Sequence, residues 1–173
     1  DLSSWMKRMG APPDEKAALR LLIPVMDALA YAWDVHGILH NDIKPANIMI
    51  DRRGEIKLMD MGLARSMTDD PGLSMTGVVY GTPFYMSPER ARGRRDIDSR
   101  SDQYALGATL FHMVTGTAPH RGDSVAEVLA SRLNDPSPSA RAVNPLISIS
   151  CENLIRRMMA GDPQQRFASW QDV

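Results

Sequence analysis

The 173-residue chain has one cysteine, 6% aromatic residues and almost no net charge, and each scarcity excludes something. Cys151 has no partner for an internal disulfide, which removes the small secreted disulfide scaffolds and fits a reducing compartment. Twenty Lys and Arg against 21 Asp and Glu leave a net charge of −1, so bulk electrostatics point to neither nucleic acid nor an anionic membrane. The longest apolar runs, 21–26 and 28–33, are six residues each, far short of the roughly 20 needed to span a bilayer. The first residues show no leader pattern, and the expected location is cytoplasmic. What is present is 43% hydrophobic content, enough for one domain that buries roughly 68–70% of its unfolded surface without a structural metal.

Leu19, Leu22, Met26, Leu29 and Trp33 recur at spacings of three and four, which predicts a helix over 14–36. Asp14 and Glu15 suit its N-terminal dipole and Gly37 its end, while Pro24 predicts a kink or a lost backbone bond. Residues 5–9 read as the tail of another helix. Two short β-branched runs, 48–50 and 56–58, flank Asp51-Arg52-Arg53-Gly54 and predict a hairpin. Residues 60–88 carry no sustained period, the mark of a functional or disordered stretch. Helical pattern returns over 104–116, 125–133 and 154–159, with a Pro/Ser-rich loop at 134–145. The expected fold class is mostly α with a small β-hairpin.

The irregular stretches hold the chemistry. The first is His40-Asn41-Asp42-Ile43-Lys44-Pro45-Ala46-Asn47, and Asp60-Met61-Gly62 follows the hairpin. Then come Gly81-Thr82-Pro83-Phe84-Tyr85-Met86, Ser87-Pro88-Glu89, the run from Ser101-Asp102 to Gly107, and Asp162-Pro163-Gln164-Gln165-Arg166. In this order and spacing the chain resembles the catalytic domain of eukaryotic-type protein kinases, in wording close to the bacterial members. The resemblance covers essentially all of 1–173 and implies a C-terminal lobe with a catalytic loop at 40–47 and an activation segment at 60–89.

The resemblance also implies roles. Phosphoryl transfer needs positioning and charge stabilisation around a polyanion. Asp42 would take or orient the proton of the attacking hydroxyl, and Lys44 would place a cation by the transferred phosphate. Asn47 and Asp60 would supply oxygens to Mg²⁺ or Mn²⁺, hard cations bound jointly with phosphates. Met49 would floor the adenine of ATP. Lys44, with Thr82 hydrogen-bonded to Asp42 and Lys44, resembles the Ser/Thr rather than the Tyr kinases, so the expected partner is a protein bearing Ser or Thr. His40, Glu89, Asp102 and Arg166 are expected in structural roles: Glu89 paired with Arg166, and Asp102 accepting backbone N–H groups around His40.

Three departures bear on function. Asn41 stands where the family usually has Arg, and a neutral side chain cannot pair with a loop phosphate at Ser74 or Thr76. Activity is therefore expected without loop phosphorylation. Met61 replaces Phe but is apolar and adaptable. No G-x-G-x-x-G occurs, so the N-terminal lobe is expected to be absent and to be a partner of this one. The isolated chain is expected to be inactive. The alternative is a non-catalytic kinase-like scaffold or interaction module. Arg90, Arg92, Arg94 and Arg95 read as a solvated face, with docking of an acidic substrate or another domain as the alternative, and Asp96, Asp98 and Asp102 only superficially mimic a calcium loop, since Arg100 and Ser101 occupy required positions.

Overall fold

The computed structural model describes residues 1–60, 65–66 and 83–173. The expectations for Met61, Ser74, Thr76 and Thr82 lie outside the described residues.

Two helices open the chain, α1 (Leu2–Met9) and α2 (Glu15–His36). The residues expected as the tail of a helix lie in α1, where Asp1 accepts from the Ser4 N–H and Gly10 closes the helix in the left-handed region. Helix α2 begins at its Asp14 cap, ends at Gly37 with φ 61°, and runs through Pro24, which has no backbone N–H to donate. Its apolar stripe puts Ala18, Leu22, Val25 and Leu29 into the core.

Next come β1 (Ile38–Leu39), a 3₁₀ turn at Pro45–Asn47, and the hairpin of β2 (Ile48–Ile50) and β3 (Ile56–Leu58). The hairpin pairs Ile48 with Leu58 and Ile50 with Ile56, burying Ile48 and leaving Met49 outward. The sequence reading missed a second antiparallel pair, β1 with β4 (Arg65–Ser66). Two residues per strand are too few to show alternation.

Helices α3 (Pro88–Ala91), α4 (Ser99–Thr115), α5 (Val125–Asn134), α6 (Ala140–Val143) and α7 (Ile149–Met158) complete the described elements, with a 3₁₀ turn at Pro163–Gln165. Helix α4 is the axis of the core: Tyr104, Leu110, Phe111 and Met113 are buried on it, and it packs on both α2 and α7. Each such side chain stabilises the fold by about 1.5–3 kcal/mol. The α4–α7 approach depends on Gly107, where an added Cβ would stand 2.7 Å from the Met158 Cβ.

Two expectations are corrected. The 134–145 loop contains α6, whose Ser139 cap was masked by its Pro-rich context. Helix α7 starts five residues earlier than its apolar period, because the Ser148 hydroxyl caps it. At the last residues, read as the start of a helix, the Asp172 carboxylate accepts from the Ser169 N–H and hydroxyl, the spacing of a capping box.

Candidate active site

The site is a loop between β1 and β2 whose shape is set by backbone contacts. Asp102, buried at the start of α4, accepts from the His40 N–H at 2.8 Å and the Asn41 N–H at 3.0 Å. Burial pushes its carboxyl above the ordinary range, against the pull of those two N–H groups and of the Arg90 charge. Asn41 then turns the chain with φ 68°, a left-handed conformation that Asn tolerates better than most residues.

His40 ties the two halves of the site together. Its Nδ1 accepts from the Asp42 N–H at 3.2 Å, and its Nε2 lies 2.9 Å from the Met59 carbonyl. A backbone N–H only donates and a carbonyl only accepts, so the hydrogen-bond pattern assigns the proton to Nε2. Met59 in turn donates its N–H to the Asn47 carbonyl at 2.8 Å. The residue after it, Asp60, is exposed and sits at φ 62°. The hairpin thus returns the chain beside Asn47 with Asp60 at its exit.

Around Asp42 the side chains converge. The Lys44 ammonium reaches Asp42 Oδ2 at 2.7 Å, and Asn47 Nδ2 reaches the same oxygen at 3.0 Å and the Asp42 carbonyl at 2.8 Å. The Asp42 side chain is 11% exposed and that of Lys44 21%, so the pair reaches solvent without lying on an open surface. With its NH₂ turned to Asp42, Asn47 points Oδ1 the other way. Met49 and Met59 are large apolar side chains left exposed on the same hairpin.

The segment after residue 82 forms the opposing wall. Tyr85, Met86 and Arg90 line a small concavity with Asn41, Asp42, Ile43 and Ala105. Tyr85 stays protonated, since burial pushes its hydroxyl up to about 12, and that hydroxyl is hydrogen-bonded to His112 Nδ1 at 2.7 Å. Ser87 and Ser101 hydroxyls meet at 2.8 Å. Glu89 and Arg166 form a bidentate pair at 2.6 and 2.8 Å. Arg90 donates to the Asn41 carbonyl, Arg92 reaches the Leu133 carbonyl at 3.5 Å, and Arg94 pairs with Asp96. The Arg run is therefore not a uniformly solvated face: Arg90 is part of the loop's support.

Sequence reasoning missed Met59 and Arg90 as parts of this framework. Met59 acts through its backbone, which no side-chain pattern reveals. The signal available for Arg90 was its position next to Glu89. Among the described residues no group of three His, Cys, Asp or Glu side chains could hold a metal, and no helix is long and apolar enough to cross a membrane.

Comparison with known proteins agrees with this construction. The sequence model of the protein kinase domain matches residues 1–173. Serine/threonine-protein kinase PrkC of Bacillus subtilis is 38% identical over 94% of this chain and 24% of its own length. Serine/threonine-protein kinase pkn3 of Myxococcus xanthus is 40% identical over 91% of the chain and 30% of its own length. Serine/threonine-protein kinase PknB of Mycobacterium leprae is 36% identical over 90% and 24%. The chain spans less than a third of these relatives. A loop in which Asp42, Lys44 and Asn47 meet, backed by a buried Asp102 and closed by a Glu89–Arg166 pair, is carried here by a sequence that matches one family throughout: the chain belongs to the protein kinase domain family.

Proposed function

We propose that this chain is the C-terminal lobe of a kinase that transfers the γ-phosphoryl group of ATP to Ser or Thr hydroxyls of a protein, and that it acts only with an N-terminal lobe. The observation that carries the reading is the joint hold on Asp42 by Lys44 and Asn47, with Met59 bonded to the Asn47 backbone so that Asp60 follows beside it.

The donor set fits a hard divalent cation. Asn47 Oδ1, directed away from Asp42, and the Asp60 carboxylate are oxygen ligands of the kind Mg²⁺ or Mn²⁺ takes together with phosphates. Such a cation, when bound, offsets phosphate charge. Met49, exposed on β2, offers an apolar contact for adenine. Asp42 orients the acceptor hydroxyl and receives its proton, in a carboxylate plane fixed by Lys44 and Asn47. Lys44 keeps a cation within reach of the transferred group. Tyr85 and Met86 line a small concavity with Asp42, on which the acceptor segment of a protein substrate would rest.

The test is made on the full-length parent. Asp42→Asn should lower transfer to a Ser/Thr peptide by about 10²–10⁴-fold, with ATP affinity retained, whereas Asn47→Ala should raise the metal concentration needed for half-maximal rate. Equal activity of wild type and Asp42→Asn would favour the non-catalytic scaffold and sink the enzymatic reading.

A further inference from the structure

Arg132 lies on α5, outside every motif of the catalytic loop, and is only 3% exposed. Among the described residues no carboxylate is paired with it. Its Nη1 donates to the Pro83 carbonyl, the Tyr104 hydroxyl supports the charge, and among the described residues Nε and Nη2 have no partner in good hydrogen-bond geometry. The guanidinium carbon stands 5.8 Å from the centre of the Tyr104 ring. The Tyr104 hydroxyl lies 3.3 Å from His120 Nε2, and His120 Nδ1 lies 3.2 Å from the Ser131 hydroxyl. The groups around the cation are thus neutral, and burial pulls its pKa down.

A buried cation facing only a carbonyl and a neutral tyrosine is a poor stabiliser; an apolar side chain of similar volume commonly serves a core as well or better. What Arg132 supplies is a hold on the backbone at Pro83. From Pro83 the chain leads to Tyr85 and Met86, which line the concavity beside Asp42. The far end of that wall is fixed by Tyr85 on His112, Ser87 on Ser101 and Glu89 on Arg166. Its near end is held from α5 by Arg132.

We propose that Arg132 is a positioning residue for the protein substrate: it fixes the Pro83 backbone so that the wall beside Asp42 accepts a polypeptide, and it takes no part in nucleotide binding. The proposal rests on Asp42 being the acceptor site of a protein kinase.

The experiment compares wild type, Arg132→Met and Arg132→Lys in the full-length parent. It measures peptide KM, ATP KM, ATP hydrolysis without peptide, and thermal melting. Arg132→Met should raise peptide KM about tenfold or more, with ATP KM and peptide-free hydrolysis within about twofold of wild type. Its melting temperature should be unchanged or higher. Arg132→Lys, which keeps a donor on a long stem, should lie nearer wild type in peptide KM. Parallel losses of hydrolysis and peptide transfer, failure of Arg132→Met to fold, or a Lys variant worse than the Met variant each overturn the proposal by marking Arg132 as merely structural. A wild-type parent that phosphorylates no Ser or Thr peptide overturns the kinase reading and this inference with it. An active wild type beside an Arg132→Met enzyme of unchanged peptide KM overturns this inference alone.

Discussion

Replacing Glu89 by alanine strands a guanidinium that has no second carboxylate within reach among the described residues. The Arg166 side chain is 0% exposed and that of Glu89 5%. Arg166 spends Nη1 and Nη2 on the two Glu89 oxygens, Nε on the Ala160 carbonyl at 2.9 Å and a further Nη1 hydrogen on the Arg100 carbonyl at 2.9 Å, above the Tyr104 ring. The carbonyls remain in Glu89→Ala, but the neutralising charge does not, so the loss is that of a buried pair broken from one side, about 3–5 kcal/mol. For a domain of this size that corresponds to a fall in melting temperature of roughly 6–20 °C. The double variant Glu89→Ala/Arg166→Met removes both charges and should recover part of the loss, with a coupling energy of about 0.5–3 kcal/mol. Titration gives an independent check. Burial pushes the Glu89 carboxyl up, the Arg166 hydrogen bonds and charge pull it down further, and the net value is lowered. A carboxyl whose folded pKa lies below its unfolded value of about 4.3 contributes stability that is complete above that pH and is lost as pH falls through the lower folded value. Chemical denaturation of wild type should show this acid-side loss and Glu89→Ala should lack its share. A single-variant cost below about 1 kcal/mol, the level of an exposed pair, refutes the reasoning.

Asn41→Ala should destabilise by about 1–2 kcal/mol, because its φ of 68° penalises a Cβ without Asn's local compensation, while Asn41→Gly should be near neutral; denaturant midpoints separate the two. His120 is held neutral by burial and the Arg132 charge, which push its pKa down to about 4. Its contribution is full above the unfolded value of about 6.5 and is lost as pH falls from there through about 4, by at most about 3 kcal/mol and nearer 1–2 with solvent screening. His120→Gln should flatten the stability profile in that window, and an unchanged slope would count against the burial argument.

Legibility followed range. The α2 stripe and its Gly37 end, the hairpin at 48–50 and 56–58, and the ends of α4 and α5 nearest their apolar periods all depend on local spacing, and local spacing is what a sequence displays. The β1–β4 pair joins residues far apart in the chain through two-residue strands, so nothing local marks it. Helix α6 and the first turn of α7 are set by single Ser caps amid residues of no period. At the site, resemblance brought Asp42, Lys44 and Asn47 forward, and the structure brings those three together. It could not reveal Met59 or Arg132, since one acts through its backbone and the other is a cation buried where composition predicts an apolar residue.

The departure at Asn41 makes physical sense in this frame. The bonds that shape the loop run from His40 to Asp102, Asp42 and Met59, from Asn47 to Asp42, and from Met59 to Asn47. What they require of residue 41 is a backbone N–H for Asp102, a carbonyl for Arg90 and a left-handed turn between them. Those demands fall on the backbone, and Asn meets the third with less strain than a longer side chain without local hydrogen-bonding capacity. The Arg90 guanidinium, arriving from α3, places a cation beside the Asn41 carbonyl and near the Asp102 carboxylate, so the loop keeps a positive charge at this point although residue 41 carries none. Because Arg90 follows Glu89 directly, that cation is positioned by the same buried pair that fixes α3, and loss of Glu89 should loosen the 40–47 loop as well as the fold.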